Sequence, residues 1–305
     1  MGLTAIVLGS AAGGGFPQWN CNCDVCRLAW AGDPRVRART QASLAVSADR
    51  KSWTLLNASP DLRAQIQSTP ALQPREGKDG NKRGSPIEAV VLTGAEIDQT
   101  AGLLSLRERS PFTLMATAAT LAAVAGNPMF GALAPDVVRR RAIAPGERFA
   151  LGEGLTAELF MVPGKVPLYL EGENPATAEE TAANVGVEIS DGQSRLAYVP
   201  GAAAMTPALH ERLSRADAIL FDGTLFTDDE MIEQGLLNKT GARMGHISMS
   251  GPSGSITAFS KLGVGRLIYV HINNSNPALN ENSAARKSIE GAGREVGYDG
   301  LEVRL

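Results

Sequence analysis

Cysteine and histidine are scarce in this chain, with three of each among 305 residues. So few cysteines exclude a disulfide-stapled scaffold. Charge of one sign is also lacking: 29 basic and 32 acidic side chains leave a formal charge of −3, which excludes a basic nucleic-acid binder. No apolar run approaches the ~18 to 20 residues needed to span a bilayer, and the first residues, MGLTAIVLGSAAGGG, lack a basic region before their short apolar stretch. The expectation is a soluble, cytoplasmic protein without nucleic-acid partners or membrane insertion. What is present is core-forming: 44% hydrophobic against 20% charged residues excludes a disordered chain and supports a sizeable interior.

Strand-forming runs fall at residues 4–8, 43–47, 53–56, 87–92, 155–162, 185–189, 196–199, 218–221 and 267–270. Helical patterns interleave with them at 60–67, 98–109, 117–125, 207–214, 254–262 and 283–292, the last opened by Ser283, whose hydroxyl can accept from free backbone N–H groups. Strands alternating with helices predict a layered α/β or α+β domain. Two stretches break the rhythm. Residues 73–86 (QPREGKDGNKRGSP) are Gly, Pro and charge, and residues 166–184 (VPLYLEGENPATAEETAAN) are long and acidic; both are expected to be mobile loops over one face.

The cysteines sit together, as N-C-N-C-D-V-C over residues 20–26. Spacings of one and two intervening residues let the thiolates of Cys21, Cys23 and Cys26 converge on one small ion, with tetrahedral Zn–S bonds of ~2.3 Å. A structural zinc is the expectation, with reduced, unconnected thiols as the alternative. The fourth ligand must come from elsewhere, as a histidine or as an Asn or Asp oxygen. Gly13 to Gly15 upstream are followed by no Gly-Lys-Ser/Thr, so a Walker phosphate loop is excluded; they are expected to let the backbone bend beside a metal or a substrate.

The three histidines lie in the C-terminal third. His210 falls in an amphipathic helical pattern among charged neighbours and reads as a surface residue. His246 and His271 are loop-flanked, the second directly after a strand. After the strand at 87–92 comes Thr93-Gly94-Ala95-Glu96-Ile97-Asp98-Gln99-Thr100-Ala101-Gly102-Leu103-Leu104. A strand end feeding a helix start is where α/β folds display chemistry, so Glu96 and Asp98 can share a crevice; otherwise Asp98 caps a helix and Glu96 is solvated.

This last stretch resembles the Thr-His-x-His-x-Asp-His-x-x-Gly-Leu motif of the metallo-β-lactamase superfamily, with Gly94, Glu96 and Gln99 where that family has histidine and only Asp98 retained. Val162-Pro163-Gly164-Lys165 is similar to its Pro-Gly-His element, with Lys165 replacing the histidine. No Asp stands near 198–202, where the family's next one falls. The dizinc hydrolase centre, which needs about five imidazoles at these places, cannot be assembled here.

The resemblance is closer to the branch of that superfamily that works in pyrroloquinoline quinone (PQQ) biosynthesis. It runs through LGSAAGGGFPQWNCNCDVC at 8–26, NASPDLRAQI at 57–66, FDGTLF at 221–226, MGHISMSGP at 244–252 and HINNSNP at 271–277. The resemblance implies a single metallo-β-lactamase-like domain over residues 1–305, a four-layer αβ/βα sandwich. It matches His271 to the last metal-binding histidine of the superfamily and His246 to one that related phosphodiesterases keep near the scissile phosphate. Where those relatives close the zinc site with a further histidine this chain has Asn274, so the fourth zinc ligand is Asn274, a water, or His246. For activity the resemblance implies an Fe2+-dependent oxygenase that hydroxylates the tyrosine of a Glu-Tyr unit from a precursor peptide, working alongside other PQQ biosynthesis proteins. The alternative is a soluble carrier helping PQQ or its precursor reach the periplasm; a metal-dependent hydrolase is the least supported.

Two histidines and a carboxylate are the minimum for a facial non-haem iron site. The expected iron ligands are Asp98, His246 and His271, with Glu96, Gln99 and Asp222 as further ligands or as groups that orient them. Asp222, which ends a strand before Gly223, also reads as a turn residue. Arg63, Lys165 and Arg243 are the cations near these motifs that could hold a diacidic substrate.

Overall fold

The computed structural model describes residues 2–76, 80, 82–173, 175–263 and 265–305. Among them the strands are β1 (Thr4–Gly9), β2 (Ser43–Ser47), β3 (Trp53–Leu56), β4 (Ile87–Val91), β5 (Phe112–Ala116), β6 (Val138–Ala142), β7 (Arg148–Ala150), β8 (Thr156–Gly164), β9 (Glu179–Ser190), β10 (Arg195–Val199), β11 (Ala218–Asp222), β12 (Arg266–Val270), β13 (Glu295–Val296) and β14 (Glu302–Arg304). They form two seven-stranded sheets, ordered β14-β1-β2-β3-β4-β5-β6 and β13-β12-β11-β10-β9-β8-β7. Both are mixed: β3 to β6 run parallel, as do β10 to β13, while the rest pair antiparallel.

Strand periodicity of two explains the layering. In β1, Ala5 and Val7 face one apolar cluster and Ile6 and Leu8 another; in β11, Ala218 and Leu220 divide likewise from Ile219 and Phe221. The shared cluster, with Leu44, Leu56, Leu159, Val187, Leu220 and Val303, lies between the sheets. A second seats Leu62, Leu103 and Val124, from the helical segments Leu62–Ser68, Ala101–Leu106 and Ala118–Ala125, on the outside of the first sheet. The third seats the helices Pro207–Leu213 and Ala284–Gly291 on the outside of the second, together with all three cysteines. Helices, sheet, sheet, helices is the αβ/βα sandwich expected. No described helix is long and apolar enough to cross a membrane.

Two local expectations are corrected. The helix expected over 98–109 is a short α-helix, Ile97–Thr100, continued as a 3-10 turn, Ala101–Leu106; Gly102 is pressed so closely on the Ser59 carbonyl that no side chain fits. The loop expected over 166–184 ends at 178, because Glu179 to Thr181 pair with Gly164 to Val162 and extend β9. That pairing is supplied by a neighbouring strand, and the polar, small residues involved give no local sign of it. Within 73–86, residues 77–79 and 81 lie outside the described residues, and Arg75 bridges to Gly84.

Candidate metal centre

Open α/β sheets place ligands outside the carboxyl ends of their parallel strands, and the candidate residues gather there. Asp222 is the last residue of β11 and has no exposed surface. His271 follows β12 directly, and its φ of 55° is a left-handed conformation that non-glycine residues adopt sparingly. His246 follows the short helix Gly241–Met244, which ends on Gly245 at φ 84°. Asp98 comes from the first sheet, on the helix after β4. One donor atom each from Asp222, His246 and His271 lie within 4.8 Å of one another.

Hydrogen bonds order this group. Asp222 Oδ2 is 2.7 Å from His246 Nδ1 and also accepts from the Ala202 N–H (2.9 Å), while Oδ1 accepts from the Thr224 N–H (3.0 Å) and hydroxyl (2.6 Å). A carboxylate only accepts, so His246 carries its proton on Nδ1 and presents Nε2. Thr224 Oγ1 also lies 3.1 Å from His246 Nδ1 and 2.9 Å from His271 Nδ1, so one hydroxyl touches the carboxylate and both imidazoles. The two rings stack at 5.3 Å. On its other side, His271 Nε2 is 2.9 Å from Asp98 Oδ2.

Burial would push Asp98 and Asp222 upward. For Asp98 the hydrogen bond from His271 and the charges of both imidazoles outweigh it; for Asp222 the charge and hydrogen bond of His246 lead. Both carboxyls therefore titrate below their ordinary range. His271 moves oppositely: burial lowers it, but the hydrogen bond and charge of Asp98, then the charges of Asp222 and Glu96, leave it raised. The proton through which His271 Nε2 meets Asp98 must leave before that nitrogen takes a cation.

A cleft of about 320 Å³ opens over these groups, lined among others by Gly13, Glu96, Asp98, Lys165, Arg243, His246 and His271. It reaches the lower end of the ~300 to 1,000 Å³ usual for small-molecule sites. The glycine run at 13–15 does adjoin the site, since a Cβ on Gly13 would sit 3.8 Å from Asp98.

Several expected site residues have other partners. Gln99 Oε1 accepts from the Glu96 N–H (3.1 Å) and its Nε2 donates to Thr93 Oγ1 (3.3 Å), in a capping box that closes the helix start. Glu96 accepts from Lys165 Nζ (3.1 Å) and from the Leu168 N–H (3.1 Å). A Cβ on Gly94, the position of a superfamily histidine, would meet Gln99 Oε1 at 2.5 Å. Arg63 is exposed on the helix Leu62–Ser68, outside the cleft lining. Two residues escaped the sequence reading: Thr224, whose signal was its place two after Asp222 in FDGTLF, and Glu171, hidden in the acidic stretch, which pairs with Lys165 (2.8 Å) and Arg243 (3.4 Å).

The thiols form a second group. Sulfurs of Cys21, Cys23 and Cys26 lie within 4.8 Å of one another, with Cys23 at the start and Cys26 inside the first turn of the helix Asp24–Trp30. Asn274 closes the fourth side: its carbonyl oxygen is 3.5 Å from Cys23 Sγ and its side-chain amide donates to Cys26 Sγ (3.4 Å). The hydrogen bond between Cys23 and Cys26 holds the Cys26 thiol down to about 5 and pushes Cys23 up, so Cys26 is the first ready to bind a metal as thiolate. His246 is committed to the Asp222 group, away from this one.

Residues 52–272 match the beta-lactamase superfamily domain. Over its length the chain is 54% identical to coenzyme PQQ synthesis protein B of Methylobacterium nodulans, covering 99% of this chain and 100% of that protein. The crystal structure of Zn2+-bound PqqB from Methylobacterium extorquens superposes with a TM-score of 0.96 at 53% identity, covering 99% of this chain and all of that one. A diphosphatase of the PhnP family shares the fold, with a TM-score of 0.67 at 20% identity over 100% of this chain and 98% of that one. With full-length identity above one half and a matching superfamily domain, the chain belongs to the coenzyme PQQ synthesis protein B family of the β-lactamase superfamily.

Proposed function

We propose that this protein serves PQQ biosynthesis as an iron-dependent oxygenase, hydroxylating the tyrosine ring of a Glu-Tyr unit derived from the precursor peptide. The observation that carries the reading is the donor set below the cleft: two imidazoles with carboxylates and no thiolate, the minimum that holds non-haem iron(II) while leaving positions open. Asp222 already accepts four hydrogen bonds behind the imidazoles, whereas Asp98 faces the cleft. Asp98, His246 and His271 are therefore the proposed ligands, and Asp222 and Thr224 keep the two rings in place. Iron bound there supplies the one-electron chemistry that lets dioxygen react with a phenol ring. One oxygen atom enters a ring C–H bond and the other leaves as water, using two electrons and two protons from a small-molecule reductant of the ascorbate type. Lys165 and Arg243 would hold substrate carboxylates at the cleft wall.

The cysteine group is proposed as a structural zinc site with Asn274 beside it. Three buried, converging sulfurs support this, as does the zinc-bound structure of the M. extorquens relative.

The same cleft cations favour one second reading, a soluble carrier that binds PQQ through its carboxylates without chemistry. Anaerobic loading with Fe(II), then addition of O2, ascorbate and Glu-Tyr, decides between them. A product heavier by one oxygen, with the label taken from 18O2, supports the oxygenase. No such product, with tight PQQ binding to metal-free protein, makes it a carrier. A dimetal hydrolase has no support, because Gly94 and Lys165 replace two of its ligands.

A further inference from the structure

Cations that line a ligand cleft are useful only if a ligand can reach them, and here both are already engaged. Lys165 Nζ lies 2.8 Å from one oxygen of Glu171, and Arg243 Nη2 lies 3.4 Å from the other. One side-chain carboxylate thus bridges the two cations, as a bound substrate carboxylate would. Its side chain is only 8% exposed.

The rest of the segment is held quite differently. Residues 166–171, which lead out of β8 and Lys165, run along the cleft as a strap that contributes Leu168 and Glu171 to its lining, tied by the Leu168 N–H to Glu96 (3.1 Å) and by the Tyr169 hydroxyl to the Ala95 carbonyl (2.7 Å). Leu168, Tyr169 and Leu170 are nonetheless 59%, 43% and 52% exposed. The strap is therefore fastened by polar contacts at points, with little apolar burial to resist its release. Lys165, at the root of this segment, is packed instead: its stem lies over Gly245, where a Cβ would come within 3.2 Å of it, and Gly245 is followed by His246.

We propose that Lys165 and Arg243 form a carboxylate subsite that Glu171 fills in the resting protein, and that a carboxylate ligand enters by displacing Glu171 and freeing the strap. The exchange replaces one carboxylate by another, so the charge balance of the cleft is kept, and a neutral compound gains nothing by competing. Glu171 is in this view a specificity residue that admits only anions. The inference rests on reading the cleft as the ligand site.

The test uses metal-loaded full-length protein and glutarate, a plain dicarboxylate, with its diamide as the neutral control. Hydrogen exchange of the amides at 166–171 is followed as either compound is added. Glutarate should speed exchange saturably in the parent, and the diamide should leave it unchanged. Glu171→Gln should exchange fast without ligand and bind glutarate at least about 10-fold more tightly by calorimetry, while Lys165→Met should not respond. Glutarate that binds the parent and Glu171→Gln equally, or leaves the strap unchanged, overturns the proposal. A glutarate response of the expected kind with no preference for Glu-Tyr over glutarate upholds the subsite and counts against the oxygenase reading alone.

Discussion

Thr224 places one hydroxyl against Asp222 and both imidazoles, and groups that orient metal ligands in this way change metal affinity by ~10- to 100-fold when removed. Thr224→Val should weaken metal binding at the His246 and His271 site by about that factor, measured by competition with a chelator. Thr224→Ser should stay near the parent, and an unchanged affinity in the valine variant would remove Thr224 from this role. The separation of the two donor groups gives a second residue-scale prediction. His246→Ala should lower iron content and leave one zinc per chain, and Cys26→Ser should do the reverse; zinc lost with His246 would join the two sites.

The Asp98 and His271 pair predicts a pH dependence for metal-stripped protein. The folded pKa of His271 is raised, so its contribution is complete below the ordinary histidine value of about 6.5 and is lost as pH rises through the folded value. The folded pKa of Asp98 is depressed, so its contribution is present above about 3.9 and is lost as pH falls through the folded value. The stability difference between parent and Asp98→Asn, from urea midpoints of chelated protein, should be greatest at roughly pH 4 to 6.5 and shrink above that window. A difference that grows toward pH 9 would contradict the pairing.

At the scale of elements, the turn between β4 and the helix Ile97–Thr100 leaves little room for a side chain at position 94. Gln99 turns back onto the Glu96 N–H, and its amide fills the space a side chain at 94 would need. Restoring one histidine there cannot restore a metal: Gly94→His meets Gln99 Oε1 and the Ala183 carbonyl and should cost about 1 to 3 kcal/mol as overpacking. A thermal melt and metal analysis check this, and a variant as stable as the parent with an extra metal would refute it. Elements also mark where local reading stopped. The runs at 43–47, 53–56 and 267–270 are apolar and became central strands, whereas Val-Arg-Arg-Arg-Ala at β6 carries exposed arginines on an edge. Edge strands take their hydrogen bonds from one neighbour and have little apolar pattern of their own. β5, Phe-Thr-Leu-Met-Ala, was missed although it is mostly buried, because a short apolar run is ambiguous between strand and helix.

At the scale of the molecule, the sheets are joined through an apolar core to which none of the polar site residues belongs. Leu220 is fully buried between them, so Leu220→Ala should cost ~2 to 5 kcal/mol in urea unfolding, with zinc and iron per folded chain unchanged. Loss of metal from folded protein would instead show that the core sets the site geometry directly.

The sequence by itself determined the thiol triad, because Cys21, Cys23 and Cys26 are neighbours and their spacing alone lets them converge. It also determined that Gly94, Glu96, Gln99 and Lys165 stand where the motifs it resembles carry histidine, since a missing histidine needs no structure to be seen. Only the tertiary structure decided that Asp98 meets His271 across 173 residues of chain, that Thr224 bridges the imidazoles, and that Glu171 occupies the cleft cations. Those contacts depend on which strand ends lie side by side, and that is set by sheet order and register across the whole molecule, not by any pattern within a single segment.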